Sequence, residues 1–286
     1  MNRAWAMKGL VATLLLGVAV AAMAAKVPER VQAQTEASML LTGKIGINAD
    51  GSVADYEIRH ADKVPDYVLS NLAKWVPAWR FKPVLVDGKA VPARATMTVR
   101  MLARPSGEDK FEVSIAGTCF DLDSLRPTDN VQRLEMKPPQ YPRDVVRAGG
   151  QGTAYLVLKV GRQGTVEDVV IERVNLSVYA SEREMERFRK RLGAAAAKAA
   201  WDWTFVPPTT GDLVQDESWS VRVPVAFYLG REIATAYGQW EAYLPGPYQP
   251  APWLVGDEAG SDALADGAIH TMGSGLELLT PAQKKS

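Results

Sequence analysis

The sequence predicts an α+β protein: two tandem modules, each a three-stranded antiparallel sheet packed with helix, following an N-terminal export sequence. Two hairpin patterns and one internal repeat predict it. Apolar residues alternate on either side of Asp50 and Gly51 (Ile45, Ile47; Val53, Tyr56, Ile58) and again around Gly164 (Leu156, Leu158, Val160; Val166, Val169, Ile171). Half-buried strands alternate in this way, and the residues between them suit turns that need positive φ. A shift of 113 carries Gly51 to Gly164, Ile47 to Val160, Val53 to Val166, Asp55 to Asp168 and Ile58 to Ile171. Further on the shift becomes 124, taking Trp79 to Trp203, Phe81 to Phe205, Pro83 to Pro207 and Val99 to Val223. One supersecondary unit is written twice.

In chain order, Arg3 and Lys8 precede an uncharged apolar run, and Ala22, Met23 and Ala24 supply a small-x-small cleavage pattern, so residues 1–25 read as an export signal. The alternative is an uncleaved anchor over residues 9–25, close to the lower limit of about 17 residues for a spanning helix. The first module covers residues 37–104. It runs from a strand beginning at Met39 through the Gly51 turn to a second strand, then a short helix from Asp66 to Trp75 with Val68, Leu69, Leu72 and Val76 on one face. WRFKP and an Asp87-Gly88 turn lead to a third strand alternating at Met97, Val99 and Met101.

Residues 105–136 read as a linker, because Pro105, Ser106 and Gly107 stand together; Phe111 to Ile115 is a candidate extra strand within it. The second module covers residues 137–230. Pro142 starts a helical turn, a hairpin follows, and the helix from Ser181 to Trp201 carries a capping box in Ser181 and Glu184. Met185, Phe188, Leu192, Ala195, Ala196 and Ala199 form its apolar face, and the charges from Glu182 to Arg191 form a solvated one. Ser220 to Phe227 supplies the third strand. Residues 231–286 are rich in Pro, Gly and small polar residues and read as a partly disordered tail.

With 286 residues, 47% of them apolar, the chain can build two cores. Its 33 basic residues balance 33 acidic ones, and no polybasic run appears, which argues against nucleic acid as a partner. Cys119 is the single cysteine, so no intramolecular disulfide is available, and a small buried side chain is its simplest reading. His60 and His270 have no partner at ligand spacing, and Asp121 and Asp123 lack the Gly and the later Glu of a calcium loop. No metal or cofactor is therefore predicted. There is no HExxH, GxSxG or Walker pattern, and the glycines at 149, 150 and 152 precede a strand rather than joining strand to helix, so no enzyme is predicted.

The ordered set PPQYP (Pro138 to Pro142), Gly152 opening a strand, a Gly turn, VEDVVI (Val166 to Ile171), an amphipathic helix and W-x-F-x-P (Trp203 to Pro207) resembles the C-terminal domain of the TonB energy transducers. Residues 39–103 resemble the same domain without the PPQYP opening. The resemblance implies a periplasmic, non-catalytic binder whose last strand accepts an extended peptide from an outer-membrane receptor, or another envelope protein, by strand addition. Carried onto this chain, it implies partner contacts at Gln140, Tyr141, Ser220, Val221, Arg222, Val223 and Val225. Tyr141, Trp203 and Phe205 also suit core packing. A membrane-anchored transducer and a structural envelope protein, self-associating through sheet edges, are the alternatives; the run from Gly9 to Ala25 holds neither the His nor the Ser of the family's membrane helix.

Overall fold

Both Gly-centred hairpins form where their alternation places them. The computed structural model describes residues 34–107, 110–124, 126–230, 235–254, 263–265 and 267–283, and the expected export signal lies outside these. The first half consists of β1 (Glu36–Ile47), β2 (Val53–Ile58), α1 (Asp66–Trp75), β3 (Val84–Val86), β4 (Lys89–Val91), β5 (Ala93–Gly107) and β6 (Lys110–Leu122). The second consists of β7 (Gln132–Glu135), α2 (Arg143–Arg147), β8 (Gly152–Gly161), β9 (Val166–Leu176), α3 (Glu182–Ala200), β10 (Thr204–Val206) and β11 (Ser218–Phe227); β12 (Glu241–Tyr243) and β13 (His270–Thr271) follow. Strand order is β12-β1-β5-β6 in the first sheet, with β2 also on β1, and β13-β11-β8-β9 in the second.

Each sheet buries one face under a helix. In the first, Leu41, Ile45, Met97, Val99 and Met101 pack with Val68, Leu72 and Val76; in the second, Leu156, Leu158, Val221 and Val223 pack with Phe188, Leu192 and Ala196. Each fully buried aliphatic side chain of this size contributes about 1.5–3 kcal/mol. Ser181 caps α3 as its sequence predicts, its Oγ accepting from the Glu184 N–H at 3.3 Å and donating to the Glu184 carboxylate at 2.8 Å.

The turn glycines have the same job in both halves. Gly51 and Gly164 adopt φ of 82° and 73°, and a Cβ on either would lie 2.0 Å from a carbonyl oxygen, that of Phe81 or of Phe205. The same closeness lets Phe81 N–H donate to Gly51 O and Phe205 N–H to Gly164 O, each at 2.8 Å. Only glycine combines this φ with this approach.

Two regions differ from their composition. The 105–136 stretch, expected to be a linker, contains β6, which pairs with β5 from Ala95 to Gly107. Pro105 and Gly107 read as a loop because they sit at a register shift near the hairpin's end, where the ladder tolerates both. The C-terminal stretch, expected to be partly disordered, is tied to both sheets over much of its described length. Tyr237 and Trp240 pack on the first core, and the Trp240 indole donates to Tyr67 Oη at 2.6 Å. Leu244 then exchanges main-chain hydrogen bonds with Leu176 of β9.

The last described residues complete the first half. In the second half β7 pairs with β10, Val131 is buried, and the Trp203 indole donates to Lys137 O at 2.9 Å. A shift of 145 takes these to the tail: Leu278 bridges Phe81, Leu276 is buried in the first core, and the Trp79 indole donates to Ala282 O at 2.8 Å. Residues about 200 positions later thus make to the first half the contacts that residues 131–137 make to the second.

Candidate functional site: the outer edge of β11

β11 pairs along its whole length with β8, from Ser218 opposite Gly161 to Phe227 opposite Gly152. Among the described residues its other edge pairs with β13, through Val221 opposite Thr271 and Arg222 opposite His270. Two further bonds fix which main-chain groups face outward: Met272 N–H donates to Ser220 O at 2.8 Å and Gly267 N–H to Pro224 O at 3.0 Å. Because main-chain direction alternates along a strand, Ser220, Arg222, Pro224 and Ala226 present their N–H and C=O outward, while Val221, Val223 and Val225 direct theirs to β8. Pro224, with no N–H, interrupts the row of outward donors.

The seven expected contact residues therefore divide. Ser220 and Arg222 have main-chain groups on the outer edge. Val221, Val223 and Val225 are core residues whose side chains pack under α3. A proline at Val223 would break the bond to β8, so it would unfold the sheet rather than selectively block an edge. Gln140 is exposed. Tyr141 is half-buried; its hydroxyl lies 2.6 Å from Gly150 O and 3.3 Å from Phe227 O, and its ring packs edge-on to Phe227 at 5.3 Å. Burial pushes the Tyr141 phenol up to about 12, so it remains a neutral donor. Its role is to fasten the PPQYP segment to the end of β11.

A groove of about 520 Å3 runs beside the C-terminal part of β11, lined by Lys137, Pro138, Pro139, Trp203, Val223 and Ala226 among others. The PPQYP segment and the open end of the edge meet in this groove, although Gln140 and Tyr141 are not among its lining residues.

On the sheet face opposite α3, Arg222 and Glu172 form a bidentate pair, with Nε to Oε2 at 3.0 Å and Nη2 to Oε1 at 2.6 Å, both side chains almost wholly buried. The Pro-rich stretch from Tyr248 to Trp253 in the tail lies over them. Tyr248 Oη donates to Glu172 Oε1 at 3.4 Å, Gln249 N–H donates to Glu172 O, and the Trp253 indole donates to Ser220 Oγ at 3.1 Å. Composition alone did not locate this cover, since Pro-rich runs carry no strand or helix period.

A second group, missed by sequence, lies where β13 meets β6. Cys119 Sγ is 3.3 Å from His270 Nδ1 and 3.9–4.0 Å from the Asp121 carboxylate oxygens. Burial first, then Asp121, pushes the Cys119 thiol up to about 12, and burial also lowers the His270 imidazole below its ordinary value. Asp121 stands against the thiol instead of orienting the imidazole, which is the reverse of an activated nucleophile. Cys119 and His270 are 151 residues apart, beyond the reach of spacing rules.

Among the described residues no helix is long and apolar enough to cross a membrane. No protein-family profile matches the chain. It is similar to the protein tonB2 of Pseudomonas aeruginosa, 33% identical over 103 residues, 36% of this chain and 33% of that relative. It is also similar to the TonB protein of Xanthomonas campestris pv. campestris, 33% identical over 100 residues, 35% of this chain and 39% of that one. The matched stretch thus spans little more than a third of the curated relatives' own length. Among solved structures, the solution structure of the Pseudomonas aeruginosa TonB C-terminal domain aligns with 36% of this chain and 88% of its own, at 21% identity and a TM-score of 0.22. On the sequence matches, about a third of the chain is a TonB-like region.

Proposed function

We propose that this chain is a non-catalytic periplasmic binder made of two tandem TonB-like modules, residues 37–104 and 137–230, whose second module takes up an extended peptide from an outer-membrane receptor or another envelope protein. The single observation that carries the reading is the state of β11. Its outer edge is met by a strand of only two residues, His270–Thr271, and its end opens on a groove beside the PPQYP segment. An extended peptide entering there adds a strand next to Ala226, with the Ser220 edge reached once the tail strand is displaced. Main-chain hydrogen bonds give affinity with little demand on peptide sequence. Tyr141 fastens the segment beside the groove, with Gln140 exposed next to it; Val221, Val223 and Val225 hold the strand from the core side.

Isothermal titration with a synthetic extended peptide from the periplasm-facing end of an outer-membrane receptor tests this. The peptide is expected to bind, and N-methylation of alternate amides is expected to weaken it at least tenfold, because each methyl removes a ladder donor. Equal affinity of the methylated peptide overturns the strand-addition mechanism. A chain that sediments as a stable dimer and ignores the peptide favours the self-associating structural protein instead.

A further inference from the structure

We propose that Cys119, Asp121 and His270 form a zinc site that fastens the C-terminal strand β13 against β6 and, through it, onto the outer edge of β11. The argument starts from donor chemistry. A thiolate sulfur, an imidazole nitrogen and a carboxylate oxygen are the three donor types that Zn2+ takes in proteins, and they come here from two elements brought together only by the fold. All three donor atoms lie within 4.8 Å of one another.

The geometry is close to that of a filled site. With zinc bonds of about 2.0–2.3 Å, tetrahedral ligands stand about 3.3–3.7 Å apart. The sulfur and nitrogen are already at 3.3 Å, and the carboxylate is 3.9–4.0 Å from the sulfur, within the reach of a small rotation of the exposed Asp121 side chain. Zinc displaces the Cys119 thiol proton, and the two anionic ligands then balance the dication. Asp121 opens the site to solvent on one side, so water can take the fourth position.

Placement gives the site a consequence. Cys119 and Asp121 belong to β6, the edge strand of the first sheet, and His270 belongs to β13, the strand on β11. Zinc would tie β6 of the first sheet to β13 on the second. Metal binding by itself does not depend on the peptide-binding reading; only its effect on the β11 edge does.

Cobalt titration of the untagged, chelator-stripped full chain tests the site. One Co2+ per chain is expected, with a thiolate-to-cobalt charge-transfer band that zinc abolishes. Cys119→Ser should lose the band, and Cys119→Ser and His270→Gln should each weaken zinc binding at least tenfold, with circular dichroism unchanged. Absence of stoichiometric Co2+ or Zn2+ binding by the folded chain overturns the proposal, as does a Cys119→Ser chain that binds zinc like the parent. Hydrogen exchange at His270 to Met272 should slow on zinc addition in the parent only. Unchanged exchange with zinc bound overturns the fastening role, and this readout involves no peptide.

Discussion

β5 and β11 hold equivalent places in their sheets, each pairing inward with the first strand of its half, β1 or β8. Outward they differ. β5 is covered from Ala95 to Gly107 by β6, whereas β11 meets two residues of β13 and single bonds at Ser220 and Pro224. An uncovered edge is a row of unpaired donors and acceptors that recruits another strand. One half has its edge covered along its length by its own chain, and the other, among the described residues, by a short segment of the tail. The same asymmetry appears at the lead-in strand: in the second half β7 arrives directly before PPQYP, while in the first it is borrowed from residues 276–282.

The largest expected effect separates the halves at one position. Arg222→Met leaves Glu172 buried without its ion partner and should destabilise the second half by about 3–5 kcal/mol in urea unfolding. The position equivalent to Arg222 in the first half is Thr98, and Thr98→Val should stay within about 1 kcal/mol of the parent. Comparable losses at both positions would erase this difference between the halves.

Truncation after Gly275 comes next. It removes buried Leu276, the bonds from Lys82 N–H to Glu277 O and from Leu279 N–H to Arg80 O, and the Trp79 indole's acceptor. Counting about 2 kcal/mol for the side chain and about 1 for each hydrogen bond, the first half should lose several kcal/mol. Exchange of the Trp79 indole should accelerate while that of Trp203 stays slow. Equal acceleration of both indoles would contradict the borrowed-strand account.

Acid provides a subtler probe of the second half. The Thr210 hydroxyl, then the Arg126 main-chain N–H and guanidinium, hold the Asp129 carboxyl down at about 2. Its folded value lies below the unfolded value of about 3.9, so its contribution is fully present above that and is lost as pH falls from about 4 to about 2. Asp129→Asn should flatten that part of the stability profile, which thermal melts between pH 5 and pH 2 would show.

The smallest change adjusts the edge itself. Pro224→Ala restores one outward donor to β11 and should strengthen peptide binding a few-fold, with little change in stability; weaker binding would place the peptide elsewhere.

The hairpins, the third strands and the capped α3 were legible because each is written in local periodicity and in glycines that a turn requires. β6 was legible only at Phe111 to Ile115, since Pro105-Ser106-Gly107 reads as a break and the strand's real partner is set by pairing. The tail's two roles left no local trace. Val131, Arg133 and Lys137 share no residue identity with Leu276, Leu278 and Ala282, because what is repeated there is a main-chain acceptor and one buried apolar side chain. The outward row of β11 depends on strand phase, which the bonds at Ser220 and Pro224 reveal and alternation alone does not. For that reason Val223 and Val225 stood among the expected contacts, while Ala226 did not.

Amide hydrogen exchange, read residue by residue with and without the extended receptor peptide, tests the central claim most directly. Protection should rise at Ala226, and the amides of β6 should not change. Protection appearing on β6 or β2, with the β11 amides unchanged, would contradict it.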